Sequence, residues 1–555
     1  MKYTILVAFV AASIGGAAAA APPPPDFRAR AEAILAGSFP ADAPGAAVVV
    51  TRGGRTLYTA GRGLADVEAR RPITPDTVFR LGSITKQFTA AVVLQLVAEG
   101  KMSLDDPVSR FFPDYPQPGA SATVRQLLNH TSGIQSYTSI PGWMTEANTN
   151  RPYTTAEAVA VFRDLPSPTR PGQAWQYNNS GYTLLGAIIE QVTGRPWHRQ
   201  VAERLAGPLR LPSIGYGVDR ETRPGMARGY TMADGRVRPA MRIHMSVPHA
   251  AGALVGTVGD LARWAQALHH GRVVSPALYT AMTTPAPLPE GRTHPYGFGL
   301  GLGTLRGRPT VEHGGGIFGF TTDSVYIPGE DVFVAVFTNS DAPAASPGLV
   351  ARRLAALAVG EPFREFTPAR VDPATVAPFL GLYRAGPEVA TRRFFERGGK
   401  YYTARGDGPE REVVPAGDGH FFYPGDVTWF RLVRGEGGSL TMEMHQNGDA
   451  AAETSPRIGD IPAEAPAAQV ARSVLESYVG QYQTMGPAVD VALRADGVLT
   501  VQLTGQPAIP LRPTSDTEFA VQGVGARVVF HSENGRPNRL VIHQGGRELE
   551  ARRQP

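Results

Sequence analysis

The chain has 555 residues, 42% hydrophobic and 19% charged, a length that asks for two to four domains and a composition ordinary for globular ones. Its 63 Gly and 49 Pro exclude an architecture of long helices, and the complete absence of cysteine excludes disulfides, thiol nucleophiles, cysteine-ligated zinc and a lipoprotein cysteine. The net charge of +5 is spread without a basic run, so nucleic acid is not an expected partner. Lysine occurs only at Lys2, Lys86, Lys101 and Lys400; the other 50 of the 54 basic residues are arginine. Arginine keeps its proton at any working pH, whereas a buried lysine can lose it, which singles out Lys86.

In chain order, residues 1–21 carry one charge (Lys2), an apolar run from Ile5 to Ile14 and a small-residue end at Ala17–Ala21. This pattern predicts a signal peptide and a periplasmic or secreted protein; the run is too short for a membrane-spanning helix, and no later stretch reaches that length. Pro22–Pro25 form a stiff spacer. Ala46–Thr51 and Thr56–Ala60 read as paired strands around Gly53-Gly54. Ser83–Glu99 has Ile84, Phe88, Val92, Val93 and Leu96 at helical spacing and stops at Gly100. Ser180–Thr193 and Asp260–His269 read as further helices, and Val325–Tyr326 with Val332–Phe337 as a hairpin. Strands before, helices between and strands after predict an α/β (α+β) domain with an antiparallel sheet over residues 22–368.

Beyond residue 368 the text turns to short strands separated by Gly turns, as in Phe394–Tyr402 and Val489–Leu503. Phe379-Leu380-Gly381-Leu382-Tyr383 is echoed by Tyr478-Val479-Gly480-Gln481-Tyr482, with a Pro/Ala-rich linker over 461–471. Two small antiparallel barrels in tandem are predicted, at 369–460 and 472–555.

Three short motifs can carry chemistry. Ser83-Ile84-Thr85-Lys86 places a hydroxyl and an amine on one helix face, one turn apart. A serine needs a neighbour to take its proton, and an uncharged lysine can. The helix start also offers backbone N–H groups to a developing oxyanion. Tyr177-Asn178-Asn179, in a loop before the second helix, offers a phenol to shuttle protons and an amide to orient the lysine or a carbonyl. His313-Gly314-Gly315-Gly316 puts glycines on a strand, where another backbone can approach closely. His130, in Asn129-His130-Thr131-Ser132-Gly133, is expected to hold a loop near the site. Trp175 and Phe318 either wall the pocket or pack beneath it. His269-His270 end a helix and are expected to face solvent, and His543 is read as an incidental barrel-strand residue. Neither Gly-x-Ser-x-Gly nor His-Glu-x-x-His occurs, and no metal or organic cofactor is expected.

The order Ser-x-x-Lys, Tyr-x-Asn, His-x-Gly resembles the serine β-lactamase and penicillin-binding protein superfamily. Phe79–Lys86, Leu127–Ile134, Tyr177–Tyr182, Gly259–Trp264 and His313–Gly316 resemble its class C-like branch of esterases, D-alanyl-D-alanine carboxypeptidases and D-aminopeptidases. The resemblance covers about residues 40 to 345, and the two following barrels resemble the D-aminopeptidase layout. It implies Ser83 as nucleophile, Lys86 as its base, Tyr177 as proton carrier and Asn179 as orienting group. It also implies an oxyanion and substrate-binding site at Ser83, Gly315 and Gly316. His313 stands where β-lactamases and carboxypeptidases place lysine. A mostly neutral histidine there favours esters, amides or peptides with a free amino end over substrates gripped by a carboxylate. A D-aminopeptidase would also need an acidic partner for the substrate ammonium, which one sequence does not name.

The function expected is an exported serine hydrolase of the D-aminopeptidase/esterase type, taking a small molecule or short peptide, with its oligomeric state open. The alternatives are a β-lactamase or D-alanyl-D-alanine carboxypeptidase, a non-catalytic penicillin-binding sensor, and a ligand carrier in which the barrels do the work. The barrels are expected instead to narrow the active-site mouth.

Overall fold

The computed structural model describes residues 23–218, 225–385, 391–406, 408–448, 451–461, 467–484, 488–503, 508–521, 525–544 and 547–554. The signal-peptide reading and residues 462–466 of the linker read at 461–471 lie outside them.

Residues 301–338 supply four strands, Gly301–Leu305, Arg308–Ile317, Phe320–Ile327 and Val332–Thr338, that pair in chain order. The amino-terminal hairpin, Ala46–Arg52 and Arg55–Arg62, completes a six-stranded antiparallel sheet by laying Ala46 opposite Thr338 and Arg52 opposite Val332. Side chains alternate across a strand, and Ala46–Arg52 uses both faces. Val48 and Val50 pack with Val334 and Val336 under the helices Phe27–Ser38 and Pro347–Ala358. Ala47 and Val49 join Ala335 and Phe337 in the core shared with the helical region. A strand buried on both sides reads as a continuous apolar run, which is how Ala46-Ala47-Val48-Val49-Val50 is written.

The first predicted helix is Thr85–Ala98, entered through a 3-10 turn at Gly82–Ile84. It is buried on nearly every side, where one apolar stripe was expected. Its polar side chains are paired inside: Trp264 Nε1 donates to Gln87 at 3.0 Å, and Thr89 donates to the Ala250 carbonyl at 2.7 Å. A helix enclosed all round belongs to the middle of a domain, and this one carries the nucleophile turn there.

The carboxy-terminal region forms two closed eight-stranded barrels, from Gly381–Arg384 to Glu453–Gly459 and from Gly480–Gln483 to Arg547–Arg553. Their interiors are filled by Phe394, Phe421, Phe430, Met442 and Met444 in the first and by Val489, Val501, Phe519, Phe530 and Leu540 in the second. The echoed pentapeptides close equivalent ends. Gly381 and Gly480 have φ of +152° and +151°, values that favour glycine. Tyr383 and Tyr482 donate to the carbonyls of Phe379 and Tyr478. Arg457 and Arg553, each from the last strand of its barrel, donate to the carbonyls of Leu380 and Val479.

The first barrel meets the catalytic domain at the turn between Gly301–Leu305 and Arg308–Ile317. Arg306 donates to Gly448, Phe363 packs with Val427, and Arg364 lies over Phe366 and Trp429. At about 3.3 Å per residue this turn lies more than about 20 Å along the strand from Gly315. These contacts anchor the first barrel at the far end of the sheet, away from the active-site mouth that the two barrels were expected to narrow. Among the described residues no helix is long and apolar enough to cross a membrane.

Candidate active site

The nucleophile turn depends on glycines packed backbone to backbone. Gly82 has φ of +53°, and a Cβ there would lie 3.0 Å from the Gly316 nitrogen. A Cβ on Gly315 would fall 2.1 Å from the Leu81 carbonyl oxygen and 2.4 Å from Thr322 Oγ1. Thr322 in turn donates to the Leu81 carbonyl at 2.9 Å. The Gly-Gly-Gly stretch therefore lets the strand lie directly on the residues preceding Ser83. Gly315 is consumed in this packing, while Gly314 and Gly316 are exposed on the other side of the strand. Ser83 is partly exposed at the head of the buried helix.

Lys86 is fully buried. Its Nζ lies 3.1 Å from Ser83 Oγ, 2.8 Å from Asn179 Oδ1 and 2.9 Å from the Ala251 carbonyl oxygen. No carboxylate is among these partners, and burial drives the amine well below its ordinary pKa. The Tyr177 and Tyr182 rings flank it at 4.7 and 5.4 Å.

Asn179 opens the helix Asn179–Thr193, whose N-cap is Asn178, accepting from the Gly181 N–H at 2.9 Å. Asn179 Nδ2 donates to Thr138 Oγ1 at 3.2 Å, which turns its oxygen toward Lys86. Burial holds the Tyr177 hydroxyl as a phenol, above its usual pKa, with Ser83 offsetting part of that shift. His130 is buried at φ +65°; its Nδ1 accepts from the Asn178 N–H at 3.2 Å and its ring lies 4.4 Å from that of Tyr177. It thus holds the Tyr-Asn-Asn loop from beneath. Trp175 stacks on His294 at 3.6 Å and leans toward Tyr177.

His313 is 8% exposed. Its Nδ1 is 2.6 Å from the Gly314 carbonyl and its Nε2 2.8 Å from the Tyr296 hydroxyl. Burial lowers its pKa to about 4. Ser83, Lys86, Tyr177, Asn179, His313 and Gly316 therefore converge on one cleft. His269, expected in solvent, is instead stacked on Tyr326 at 3.9 Å and bonded to Tyr279 at 2.6 Å; only His270 is exposed, paired with Asp331.

Sequence reading missed Ala251, Tyr182 and Tyr296. Ala251 acts through its carbonyl, which no side-chain motif marks. Tyr296 had a signal in the glycines after it: a Cβ on Gly299 would lie 2.8 Å from the Lys86 carbonyl oxygen, and one on Gly297 2.0 Å from that of Met282. Repeated glycines marked another close backbone approach.

An antiparallel sheet covered by helices, with a hydroxyl and a buried amine at the head of the central helix, defines a serine hydrolase. The chain belongs to the beta-lactamase family, whose profile matches residues 32–359. It is 26% identical over 445 residues to a D-aminopeptidase of Gluconobacter oxydans, covering 78% of each chain. It is 36% identical over 185 residues to Esterase EstB of Burkholderia gladioli, 31% of this chain and 47% of that one. The solved D-amino acid amidase from Ochrobactrum anthropi SV3, complexed with L-phenylalanine amide, superposes with a TM-score of 0.53 at 29% identity, covering 60% of this chain and 98% of its own.

Proposed function

We propose that the protein is an exported hydrolase of amide, ester or D-amino-acid peptide bonds, most like a D-aminopeptidase or esterase, that forms an acyl-enzyme on Ser83. Residues 1–21 are its removable signal, 22–368 its catalytic domain, and 369–460 and 472–555 its barrels.

The Lys86 partner set carries this reading. Asn179 Oδ1 and the Ala251 carbonyl can only accept. A neutral amine has two N–H bonds for them and one lone pair left, and the remaining partner is the Ser83 hydroxyl. In that state Ser83 O–H donates to Lys86 Nζ, the arrangement a general base needs. Lys86 takes the serine proton as Oγ attacks the carbonyl carbon, and the backbone N–H groups of Ser83 and Gly316 receive the oxyanion. Tyr177, a neutral phenol whose ring flanks Lys86, delivers a proton to the leaving group; its phenolate is reprotonated from Lys86. Water then enters by the reverse path, releasing the acid and restoring the hydroxyl.

The D-amino-acid preference draws on the D-aminopeptidase and D-amino acid amidase relatives. A β-lactamase or carboxypeptidase is less favoured, because His313 is neutral and both its ring nitrogens are engaged. The test is turnover of D- and L-amino-acid p-nitroanilides, short-chain p-nitrophenyl esters and a chromogenic cephalosporin by wild type and Ser83→Ala. Sustained turnover by wild type, lost by more than about 10³-fold in the variant, is expected. A single stoichiometric burst without turnover would make the protein a binder instead.

A further inference from the structure

We propose that Tyr296 is a specificity-determining residue that acts through His313, withholding it from the substrate so that the imidazole offers no donor to a carboxylate. This rests on the Ser83 reading above and adds a device that selects among acyl donors.

A carbonyl has no hydrogen to give, so the 2.6 Å contact of His313 Nδ1 with the Gly314 oxygen requires the hydrogen on Nδ1. A neutral imidazole then has a bare lone pair on Nε2, and the Tyr296 hydroxyl, 2.8 Å away, donates to it. Both ring nitrogens are spent within the protein. The groups facing His313 are Lys86 from the nucleophile helix, Tyr177 and His130 from the loops beside it, and Tyr296 from the segment before Gly301. None is a carboxylate that would draw a proton onto the ring.

Tyr296 is fixed in that position. It is 6% exposed, and its ring lies 4.7 Å from His130 and edge-on to Tyr177 at 6.2 Å. Gly297 and Gly299 press its backbone against Met282 and Lys86. The turn that seats the tyrosine is thus packed on the base itself. A substrate carboxylate beside His313 meets an occupied lone pair and a hydrogen already given to Gly314.

Removing the phenolic hydroxyl frees Nε2. A nearby anion then favours the imidazolium, because an opposite charge stabilises the charged form, and the freed N–H can bond a carboxylate. The experiment uses the full-length protein and two esters of equal acyl length, p-nitrophenyl butyrate and mono-p-nitrophenyl succinate, at pH 5.5 and pH 8. For wild type the kcat/KM ratio of neutral to carboxylate ester is high at both. In Tyr296→Phe, and in Tyr296→Met as a second variant lacking the donor, the ratio falls at least about five-fold at pH 5.5 and far less at pH 8. Adding His313→Gln abolishes that fall.

A tyrosine that merely filled space would lower both esters together and leave the pH dependence of the ratio unchanged. The proposal is overturned if the ratio stays at its wild-type value at pH 5.5 in whichever variant folds, or if the fall persists in the double variant. Failure of the Ser83 reading looks different: Ser83→Ala would hydrolyse the neutral ester as well as wild type does.

Discussion

The catalytic cleft and the closed ends of the two barrels use the same bond to opposite ends. In each, a basic side chain is drawn from water to a backbone carbonyl: Lys86 to Ala251, Arg457 to Leu380, Arg553 to Val479. The guanidinium stays charged and spreads its donors in a rigid fork, so in the barrels the bond is a clasp. The ammonium can surrender its proton when desolvated, so in the cleft the bond turns an amine lone pair toward Ser83. In a chain that writes arginine almost everywhere, Lys86 sits where the charge must be disposable.

Making the cleft resemble the barrels gives the largest effect. Lys86→Arg keeps a long basic side chain but stays protonated and cannot accept the serine proton, so kcat/KM on a chromogenic ester should fall by about 10²–10⁴, with near-UV circular dichroism confirming the fold. Survival of most activity would remove the base from the mechanism. In wild type the same group sets the acid limb. Its folded pKa is depressed, so acylation is present above that value and lost as pH falls through it. His313, at about 4, adds no break above pH 5. The stability sign agrees: an unfolded Lys86 binds a proton the folded one refuses, so this residue's penalty shrinks as pH rises toward about 10.

Making a barrel resemble the cleft gives a smaller effect on a different observable. Arg457→Lys replaces the fork on the Leu380 carbonyl, where both Nε and Nη2 donate, with one mobile ammonium. A charged hydrogen bond is worth roughly 1.5–3 kcal/mol, so the barrel's calorimetric transition should move down by several degrees. Ester hydrolysis should not change, since the described contacts place this barrel at the far end of the sheet. Loss of activity in step with the melt would mean the barrel bears on the cleft after all.

What the sequence made legible follows the same division. Ser83, Lys86 and Asn179 were readable because a helix fixes the first pair locally and the next helix begins with the third. The barrel ends were readable because Gly381 and Gly480 need a backbone that other residues avoid. The Ala251 carbonyl was not, because a backbone atom has no residue type. Nor was the pairing of Ala46–Arg52 with Val332–Thr338, since only the folded chain brings such distant segments together. His269 was misjudged for a related reason: its cover, Tyr326 and Tyr279, comes from elements the helix pattern does not mention.

The smallest effect tests whether the catalytic domain tolerates buried charge elsewhere. The first barrel keeps its acids near the surface opposite basic partners, as in Arg431–Glu443 and Lys400–Glu412. Asp323, opposite Gly314 in the sheet, has Glu312 for a neighbour and Arg352 as counterweight. Burial, and then Glu312, push its pKa up to about 7. Folded Asp323 therefore keeps a proton that the unfolded chain releases above about pH 4, and the stability it contributes is lost as pH rises from there through about 7. Asp323→Asn removes the titration and keeps the shape. At pH 8 its melting temperature should exceed wild type by about 1–2 °C, the shift that ~1 kcal/mol produces in a domain of this size. At pH 4 the two proteins should melt together. Equal melting at pH 8 would mean that Arg352 already balances the carboxylate, so that burial does not hold Asp323 neutral.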